Sequence, residues 1–442
     1  MVEEKKTPKL RRKISLLGLT AYGVGNVLGA GIYALIGEVV GITGNLSWLA
    51  FVLAAITGAF TGLSYAELST MFPKSAAEFV YTEQAFKKRI LSFILGWIII
   101  FSGILSASTV ALGFAGYLSN LLGVDISAIK IIFAIYLILI LSVINFIGIK
   151  TSTWMNIIFT IIEASGLIFI IIIGIPKIGS VNYFELPSFN SFGALFSAVA
   201  LIFFAYIGFE DIANVAEEVK EPHRNLPKAI IISIIITTIL YCLTAISVVS
   251  ILPYSALATS NAPLTDVAFA VLGDLGRFIM SSIALFATAN TVLIMLIVTS
   301  RMMYGMARDK ALPEGLNKIT PKRRIPISAA LFTMLFAIVP VLFGDITIVA
   351  NATVFGVLIN FFLVNISLIA LRKKQPELER PFKSKPSIGW VPIVALLGSI
   401  VCAALLFTFE WYVYIIQLVI IGIGIIVFYA MKSKIETKSI FK

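Results

Sequence analysis

The chain has 442 residues, of which 59% are hydrophobic and 13% charged, and its mean hydropathy is +1.01. A soluble domain of this size does not expose so little charge, so the composition predicts a polytopic protein of the lipid bilayer. The net charge of +11 does not indicate a nucleic-acid partner, because the basic residues fall in short loops between apolar segments. The polar, basic N-terminus has no cleavable signal pattern, and we expect the first apolar segment to stay as an anchor.

Twelve apolar segments follow one another, each close to the ~20 residues that a bilayer requires. We predict an all-α membrane protein with twelve transmembrane helices. Residues 73–88 are expected to form an elbow at the membrane surface, and short helices are expected in the long loop 253–272. The predicted spans are 15–42, 47–71, 91–118, 126–148, 152–175, 192–218, 228–251, 274–305, 326–343, 347–371, 388–408 and 411–431.

The distribution of basic residues predicts the orientation of these spans. Of the 34 Lys and Arg residues, all but Lys130, Lys177 and Arg277 fall in segments on the same side as the N-terminus. Lys and Arg are enriched in cytoplasmic loops. We therefore expect a multi-pass protein of the cell (plasma) membrane with both termini in the cytosol.

The first span contains three glycines within seven residues, Gly25, Gly29 and Gly31, where a membrane helix should be continuous. Each Gly costs about 1 kcal/mol relative to Ala in a helix interior, and backbone groups freed in lipid cannot turn to water. We predict that this helix is broken at Gly29-Ala30-Gly31 and holds a small polar solute. The alternative is that Gly29 and Gly31 only allow close helix packing.

The sixth span has a second interruption, in the residues LIFFAYIGFEDIAN at 201–214. Aromatic, β-branched and Gly residues cluster at its centre, and Glu210 and Asp211 follow. Inverted-repeat transporters place discontinuous helices at matching positions of two five-helix halves. The domains predicted on this basis are a cytosolic N-tail at 1–14, a first five-helix repeat at 15–175, a second, inverted repeat at 192–371, two additional helices at 388–431 and a cytosolic C-tail at 432–442.

The two breaks predict a particular ligand chemistry. A half-helix that starts near Ala30 presents unpaired N–H groups and a positive dipole end, which suit a carboxylate. The opposite half-helix ends, near Val27 and at 204–207, expose carbonyl groups that suit an ammonium group or a cation. Together they match the α-carboxylate and α-amino groups of an amino acid without a charged side chain in contact.

Six short motifs resemble those of the amino acid–polyamine–organocation superfamily, in the same order along nearly the whole chain. The resemblance favours the amino-acid permeases of this superfamily and implies a LeuT-type fold, with a 5+5 inverted repeat, broken helices 1 and 6, and two further helices. The motifs are GAGIY at 29–33, SYAEL at 64–68 followed by Pro73, FFAYIGFE at 203–210, EEV at 217–219 with LPK at 226–228, ARD at 307–309 after Arg301 and Tyr304, and LR at 371–372 with RPF at 380–382.

The resemblance also implies roles for residues at matching positions. The amides of Ala30, Gly31 and Ile32 would bind the substrate carboxylate, next to the break at Gly29. The α-amino group would meet the carbonyls of Val27, Phe204 and Ile207, near the second break at Gly208. Tyr206, Phe209 and Met295 would line the pocket, and Glu210 matches a position that is acidic in some members and linked there to proton-sensitive transport.

Glu163 lies at the middle of the fifth span, where an ionised carboxylate is expensive unless it is protonated or partnered. Many similar permeases carry a Lys here in place of a bound sodium ion, so this chain departs from the pattern with the opposite charge. Because no Lys or Arg lies at similar depth, we expect Glu163 to bind a proton or to help bind Na⁺ as a coupling residue. The alternative is a permanently protonated Glu that hydrogen-bonds a carbonyl of a broken helix.

Other polar residues support weaker expectations. Glu210 is expected to face the transport path, and Asp211, about 100° away on a helix, to face span three or eight. Thr288 and Thr291 share a helix face in span eight. They are candidates for ion coordination, or for ordinary bonding within the helix. Glu67, Glu217 and Glu218 lie near the cytosolic surface, where each is expected either to form a gate ion pair or to be solvated.

We predict a secondary transporter of amino acids that works by alternating access, with a proton as the expected coupling ion and Na⁺ symport or exchange as alternatives. No His/Cys cluster and no Walker A pattern are present in the sequence, so neither an enzyme, a metal site nor a cofactor is expected. The competing classes are a channel and a non-transporting amino-acid sensor. The expected partners are an amino-acid substrate and the lipid bilayer, with no nucleic acid, and the protein is expected to be a monomer or a homodimer.

Overall fold

A computed structural model describes residues 14–73, 77–124, 126–147, 153–185, 192–216, 219–308, 310–318 and 326–440. Most of these residues are helical. In the first part of the chain the helices are α1 (Leu16–Leu28), α2 (Gly31–Thr43), α3 (Ser47–Met71), α4 (Ala77–Phe86), α5 (Arg89–Leu122), α6 (Ser127–Ile147) and α7 (Thr153–Gly174). The N-terminal tail, Glu217 and Glu218 lie outside the described residues.

The second part of the chain continues this pattern and adds one small hairpin. The helices are α8 (Phe192–Ile202), α9 (Asp211–Asn214), α10 (Pro222–Ile251), α11 (Tyr254–Ala258), α12 (Pro263–Arg308), α13 (Ile327–Val341), α14 (Ile346–Lys374), α15 (Ile393–Leu406) and α16 (Trp411–Ile440). The strands β1 (Ser387–Ile388) and β2 (Val391–Pro392) pair antiparallel. Single 3₁₀ turns occur at Gly44–Leu46, Ile175–Lys177, Phe203–Tyr206 and Glu314–Asn317.

The apolar helices identify a multi-pass membrane protein. Within the described residues, nine helical stretches are long and apolar enough to cross a membrane. The first of them, Gly31–Met71, joins α2 and α3 through a 3₁₀ turn. Three further apolar helices, α1, α13 and α15, are shorter. Length and composition therefore support between nine and twelve crossings.

The first span is interrupted between α1 and α2. Ser15 caps the start of α1 by accepting a hydrogen bond from the Gly18 amide at 3.3 Å. The helix ends at Leu28, and Gly29 leaves helical geometry with φ −5° and ψ −164°. The chain turns back into a helix at Gly31. The discontinuity therefore lies at the predicted glycines.

The sixth span is interrupted in the same manner. After α8 the chain tightens into the 3₁₀ turn Phe203–Tyr206, and Ile207 is extended. Gly208 then adopts φ +123°, a region that side-chain-bearing residues rarely enter. The short helix α9 follows at Asp211.

The two breaks pack directly against each other. A Cβ atom on Gly31 would lie 2.6 Å from the Ala205 Cα atom, and one on Gly208 would lie 2.7 Å from the Asn26 carbonyl oxygen. Neither position therefore accepts a larger residue without backbone movement. Both explanations offered for Gly31 therefore hold. It lies at a helix break, and it allows the two broken helices to pack closely.

The eleventh predicted span begins later than expected. We predicted a helix from residue 388, but β1 and β2 form a hairpin there and α15 begins only at Ile393. Pro392 precedes the helix with extended backbone angles. The segment 253–272 was expected to be a loop with short helices. It holds α11 and the first turns of α12, which are separated from the long part of α12 by non-helical Gly273.

A buried ion pair joins α3 to the end of α14. Arg372 donates from Nε to Oε1 of Glu67 at 2.9 Å and from Nη2 to Oε2. Glu67 Oε2 also accepts hydrogen bonds from the Ser384 amide at 2.9 Å and hydroxyl at 2.8 Å. Both charged side chains are almost fully buried. Of the two possibilities left open for Glu67, the structure has the ion pair.

Candidate functional site

The start of α2 presents the amide groups predicted to bind a carboxylate. The first four N–H groups of a helix have no partner within the helix. One of them, the Ala30 amide, donates to the Thr291 hydroxyl oxygen on α12 at 3.1 Å. Of the three amides predicted to bind a carboxylate, that of Ala30 is thus already engaged, and its bond to Thr291 joins α12 to the break.

The opposite ends of the breaks share one hydroxyl group. Tyr241 on α10 donates to the carbonyl oxygens of Val27, at 2.6 Å, and Ala205, at 2.9 Å. The Phe204 carbonyl accepts from the Ile207 amide at 3.3 Å. Sequence reasoning missed Tyr241, although a Tyr in the middle of an apolar span indicates that its hydroxyl needs a buried partner.

Replacing Tyr241 with Phe is expected to weaken both breaks at once. Leaving a buried carbonyl without a partner costs about 1–3 kcal/mol. We expect Tyr241→Phe to lower the unfolding temperature in detergent and to reduce the extra stabilisation given by a bound amino acid. Thermal unfolding with and without saturating substrate measures both effects.

The matched control is Tyr414→Phe, because the Tyr414 hydroxyl also donates to a backbone carbonyl, that of Leu406, away from the breaks. This control should lose stability but keep its response to substrate. An unchanged substrate response in Tyr241→Phe would contradict the bridging role.

The aromatic residues of the sixth span face neighbouring helices. Tyr206 is fully buried and its hydroxyl donates to the Phe51 carbonyl on α3 at 3.0 Å. The Phe209 ring packs against Phe361 on α14, with centroids 5.2 Å apart. Met295 on α12 is half-buried against the core. These contacts hold the break in place, and Ile207 remains half-buried beside it.

Glu163 is buried in α7, with only 1% of its surface exposed. Asn290 on α12 donates to its Oε1 atom at 3.2 Å. The Tyr33 hydroxyl donates to the backbone carbonyl of the same residue, and Tyr117 donates to the Tyr33 carbonyl at 2.7 Å. The structure thus links Glu163 to α2, directly after the first break. Its amide partner, Asn290, was not predicted.

The two carboxylates after the second break have different partners. Glu210 Oε2 accepts a hydrogen bond from the Gly208 amide at 2.8 Å and so satisfies a backbone group of the break itself. Asp211 Oδ2 accepts from the Asn26 side chain on α1 at 3.3 Å. This contact places Asp211 against span one, which the prediction of span three or eight did not name.

The two threonines of span eight are both hydrogen-bonded to their own helix. Thr288 donates to the Ala284 carbonyl at 2.6 Å, and Thr291 donates to the Ala287 carbonyl at 3.1 Å. Of the two, only Thr291 also contacts a helix break, because its hydroxyl oxygen accepts a hydrogen bond from the Ala30 amide. Across the part of the chain that the structure describes, no group of three or more His, Cys, Asp or Glu residues is arranged to hold a metal ion.

Two apposed helix breaks inside an apolar helical bundle are the features of a membrane transport protein, and sequence comparison agrees. A family model described as amino acid permease matches residues 14–439. The chain belongs to this family, within the amino acid–polyamine–organocation superfamily. Its relatives are permeases and transporters and not enzymes.

Individual relatives cover most of the chain. The branched-chain amino acid permease BcaP of Bacillus subtilis (strain 168) is 30% identical over 449 residues, which cover 96% of this chain and 94% of the relative. The methylthioribose transporter of the same organism is 27% identical, with 98% and 95% covered. Cationic amino acid transporter 4, vacuolar, of Arabidopsis thaliana is 30% identical, with 84% and 64% covered.

Proposed function

We propose that this protein is a proton-coupled secondary transporter that carries amino acids across the cell membrane by alternating access. The observation that carries the proposal is the apposition of the two breaks. The Gly31 and Ile32 amides at the start of α2 suit a carboxylate. The Val27 and Phe204 carbonyls each accept one hydrogen bond and keep a second lone pair that suits an ammonium group. An amino acid held between them would contact both broken helices, so that movement of one helix bundle against the other would transfer it.

The proposed architecture has twelve spans arranged as a LeuT-type inverted repeat. The order of helices supports it, because the first span of each five-helix half, 15–175 and 192–371, is the one that is broken. The helices α15 and α16 are additional. The positive-inside distribution of Lys and Arg supports cytosolic termini in the plasma membrane. A monomer or a homodimer is consistent with this arrangement.

The proposed substrates are neutral amino acids with apolar side chains. Phe204 and Ile207 at the break offer an apolar surface, and the Glu210 carboxylate is engaged by the Gly208 amide. The branched-chain permease among the relatives supports this choice. Cationic amino acids are the second candidate, because Glu210 is half-buried beside the break and relatives include cationic transporters.

Glu163 is the proposed coupling residue, with Glu210 as a second acidic group on the path. The hydrogen-bonding groups around Glu163 that the structure describes are neutral, which suits a carboxyl group that gains and loses a proton. The Thr288 and Thr291 hydroxyls already donate to their own helix. Because a donating hydroxyl keeps lone pairs that could bind Na⁺, the choice of a proton rests on Glu163, and Na⁺ symport and amino-acid exchange are the alternatives that the experiment separates.

Uptake by purified protein in liposomes tests the proposal. Radiolabelled leucine, alanine and lysine are offered with an inward pH gradient, with an inward Na⁺ gradient, or with unlabelled amino acid inside. We expect saturable accumulation of leucine driven by the pH gradient alone. Protein-free liposomes are the control.

Each alternative has its own outcome in the same assay. Accumulation that requires Na⁺ overturns proton coupling, and uptake that requires internal amino acid indicates an exchanger. Uptake that does not saturate indicates a channel. Stabilisation by amino acids in thermal unfolding, without any uptake, indicates a sensor.

A further inference from the structure

Glu78 is a buried carboxyl group outside the membrane-spanning helices. It lies on α4, the short helix between the second and third spans, and only 3% of its surface is exposed. The Tyr65 hydroxyl on α3 donates to its Oε1 atom at 3.1 Å. Carboxyl groups are rarely buried unless they are paired. No salt bridge to Glu78 is found among the described residues. Charge pairing therefore does not explain why this carboxyl group is buried.

Two unpartnered polar groups lie in the same place. Asn360 on α14 donates from Nδ2 to the Tyr65 hydroxyl at 3.5 Å, while its Oδ1 atom is buried and has no hydrogen-bond partner in the described chain. The Tyr81 hydroxyl is fully buried, also without a partner there, and lies within electrostatic range of Glu78. Buried polar groups are normally satisfied by protein or by water. One acceptor and one hydroxyl beside a carboxyl group suit a water molecule that exchanges protons.

The charges around Glu78 come from the second break. Glu210 and Asp211 are close enough to repel its negative charge, and Tyr65 lies within range of both Glu78 and Glu210. Burial is the main cause that raises the pKa of Glu78 to about 7, and Asp211 adds to it. The other charged side chains on the packed helices are Glu83 on α4 itself, Arg89 at the first residue of α5 and Glu67 on α3, which is paired with Arg372. The C-terminal end of α14 adds Lys373 and Lys374, and Lys374 Nζ donates to the Ala85 carbonyl on α4 at 3.3 Å.

Tyr65 occupies a position that suits a proton path. Its ring packs edge-on against Phe209, at 6.1 Å between centroids, and against Phe361, at 5.7 Å. Tyr65 also packs edge-on against Tyr81 on α4, at 6.1 Å between centroids, so its ring lies between the second break and α4. A hydroxyl group at this position passes a proton, because it donates one proton and accepts another at the same oxygen, and so stays neutral.

We propose that Glu78 is the proton-exchange residue on the side of the membrane that the termini occupy, receiving protons from the Glu210 side through Tyr65 and releasing them to the cytosol. The inference rests on the proposed proton-coupled transport. In the release step the Glu78 O–H bond breaks and the proton passes to water, leaving the carboxylate. The Tyr65 hydroxyl then transfers its proton to that carboxylate and takes one from the side of the break.

Replacing Glu78 with Gln tests the inference, because Gln retains an acceptor for Tyr65 but cannot exchange a proton. In liposomes we expect Glu78→Gln to lower pH-driven uptake by about tenfold or more. Tyr65→Phe, which retains the aromatic packing, is expected to do the same. Glu83→Gln is the matched control, since Glu83 lies on the same helix but is only half-buried. Wild-type rates of pH-driven uptake in both Glu78→Gln and Tyr65→Phe would overturn the inference.

A second measurement separates this inference from the proposed function. Because the folded chain raises the pKa of Glu78, its protonation stabilises the fold at low pH, and this contribution is lost as the pH rises through about 7. The unfolding temperature of the wild type should therefore fall more than that of Glu78→Gln between about pH 5 and about pH 8. Identical pH profiles would overturn the inference even if transport is proton-driven. Different profiles with no pH-driven uptake in the wild type would overturn the proposed coupling and, with it, the transport role of Glu78.

Discussion

Replacing Glu163 with Gln is expected to abolish accumulation of substrate under a pH gradient. Gln keeps the oxygen that accepts the Asn290 hydrogen bond, so the fold should be retained, but it cannot bind and release a proton. Removing a positioned proton-transfer group lowers a rate by about a hundredfold. Uptake of labelled leucine into liposomes, with the pH gradient as the only driving force, measures the effect.

The control for Glu163→Gln is Glu410→Gln, which removes an exposed carboxylate. The control should accumulate substrate at the wild-type rate. Exchange of labelled for unlabelled substrate at equal pH provides the second readout, because it needs binding and movement but no net proton transfer. Wild-type accumulation by Glu163→Gln would rule out its coupling role and favour a permanently protonated side chain.

Replacing Arg372 with Met is expected to produce the largest loss of stability in the chain. The substitution leaves the Glu67 carboxylate buried, with the Ser384 groups as neutral partners and the Arg380 Nε atom 3.6 Å away. Removing one partner of a buried ion pair costs about 3–5 kcal/mol. The unfolding temperature in detergent and the yield of monodisperse protein measure the loss.

Two variants show whether the lost charge pair is the cause. Lys373→Met changes the adjacent, exposed residue and should alter stability by less than about 0.5 kcal/mol. The double variant Glu67→Leu with Arg372→Met removes both charges and should recover much of the lost stability. Equal unfolding temperatures for Arg372→Met and Lys373→Met would contradict the expectation.

The break positions could be predicted because their causes are local in the sequence. Gly29 and Gly31 weaken a helix wherever they occur, and backbone groups at membrane depth must then meet protein or ligand. The same reasoning located the second break at Ile207 and Gly208. It did not predict that Gly31 would lie against Ala205, because that contact joins two separate helices.

Several partners could not be predicted because they are distant in the chain. The Ala30 amide is bonded by Thr291, which lies 261 residues away. Asp211 meets Asn26, 185 residues before it, on a span that the prediction did not name. The β-hairpin before α15 was missed for a different reason: its strands have only two residues each and interrupt an apolar stretch that is typical of a continuous span.

The class of protein, the approximate spans and the two helix breaks follow from the sequence, because apolar length, glycine placement and short motifs are read along the chain. The group that satisfies each freed backbone atom and each buried charge is known only from the folded structure. Tyr241 joins the carbonyl ends of both breaks, and Arg372 neutralises Glu67 from 305 residues away. The physical reason is that a buried polar group needs a partner close in space, and packing, not chain order, supplies it.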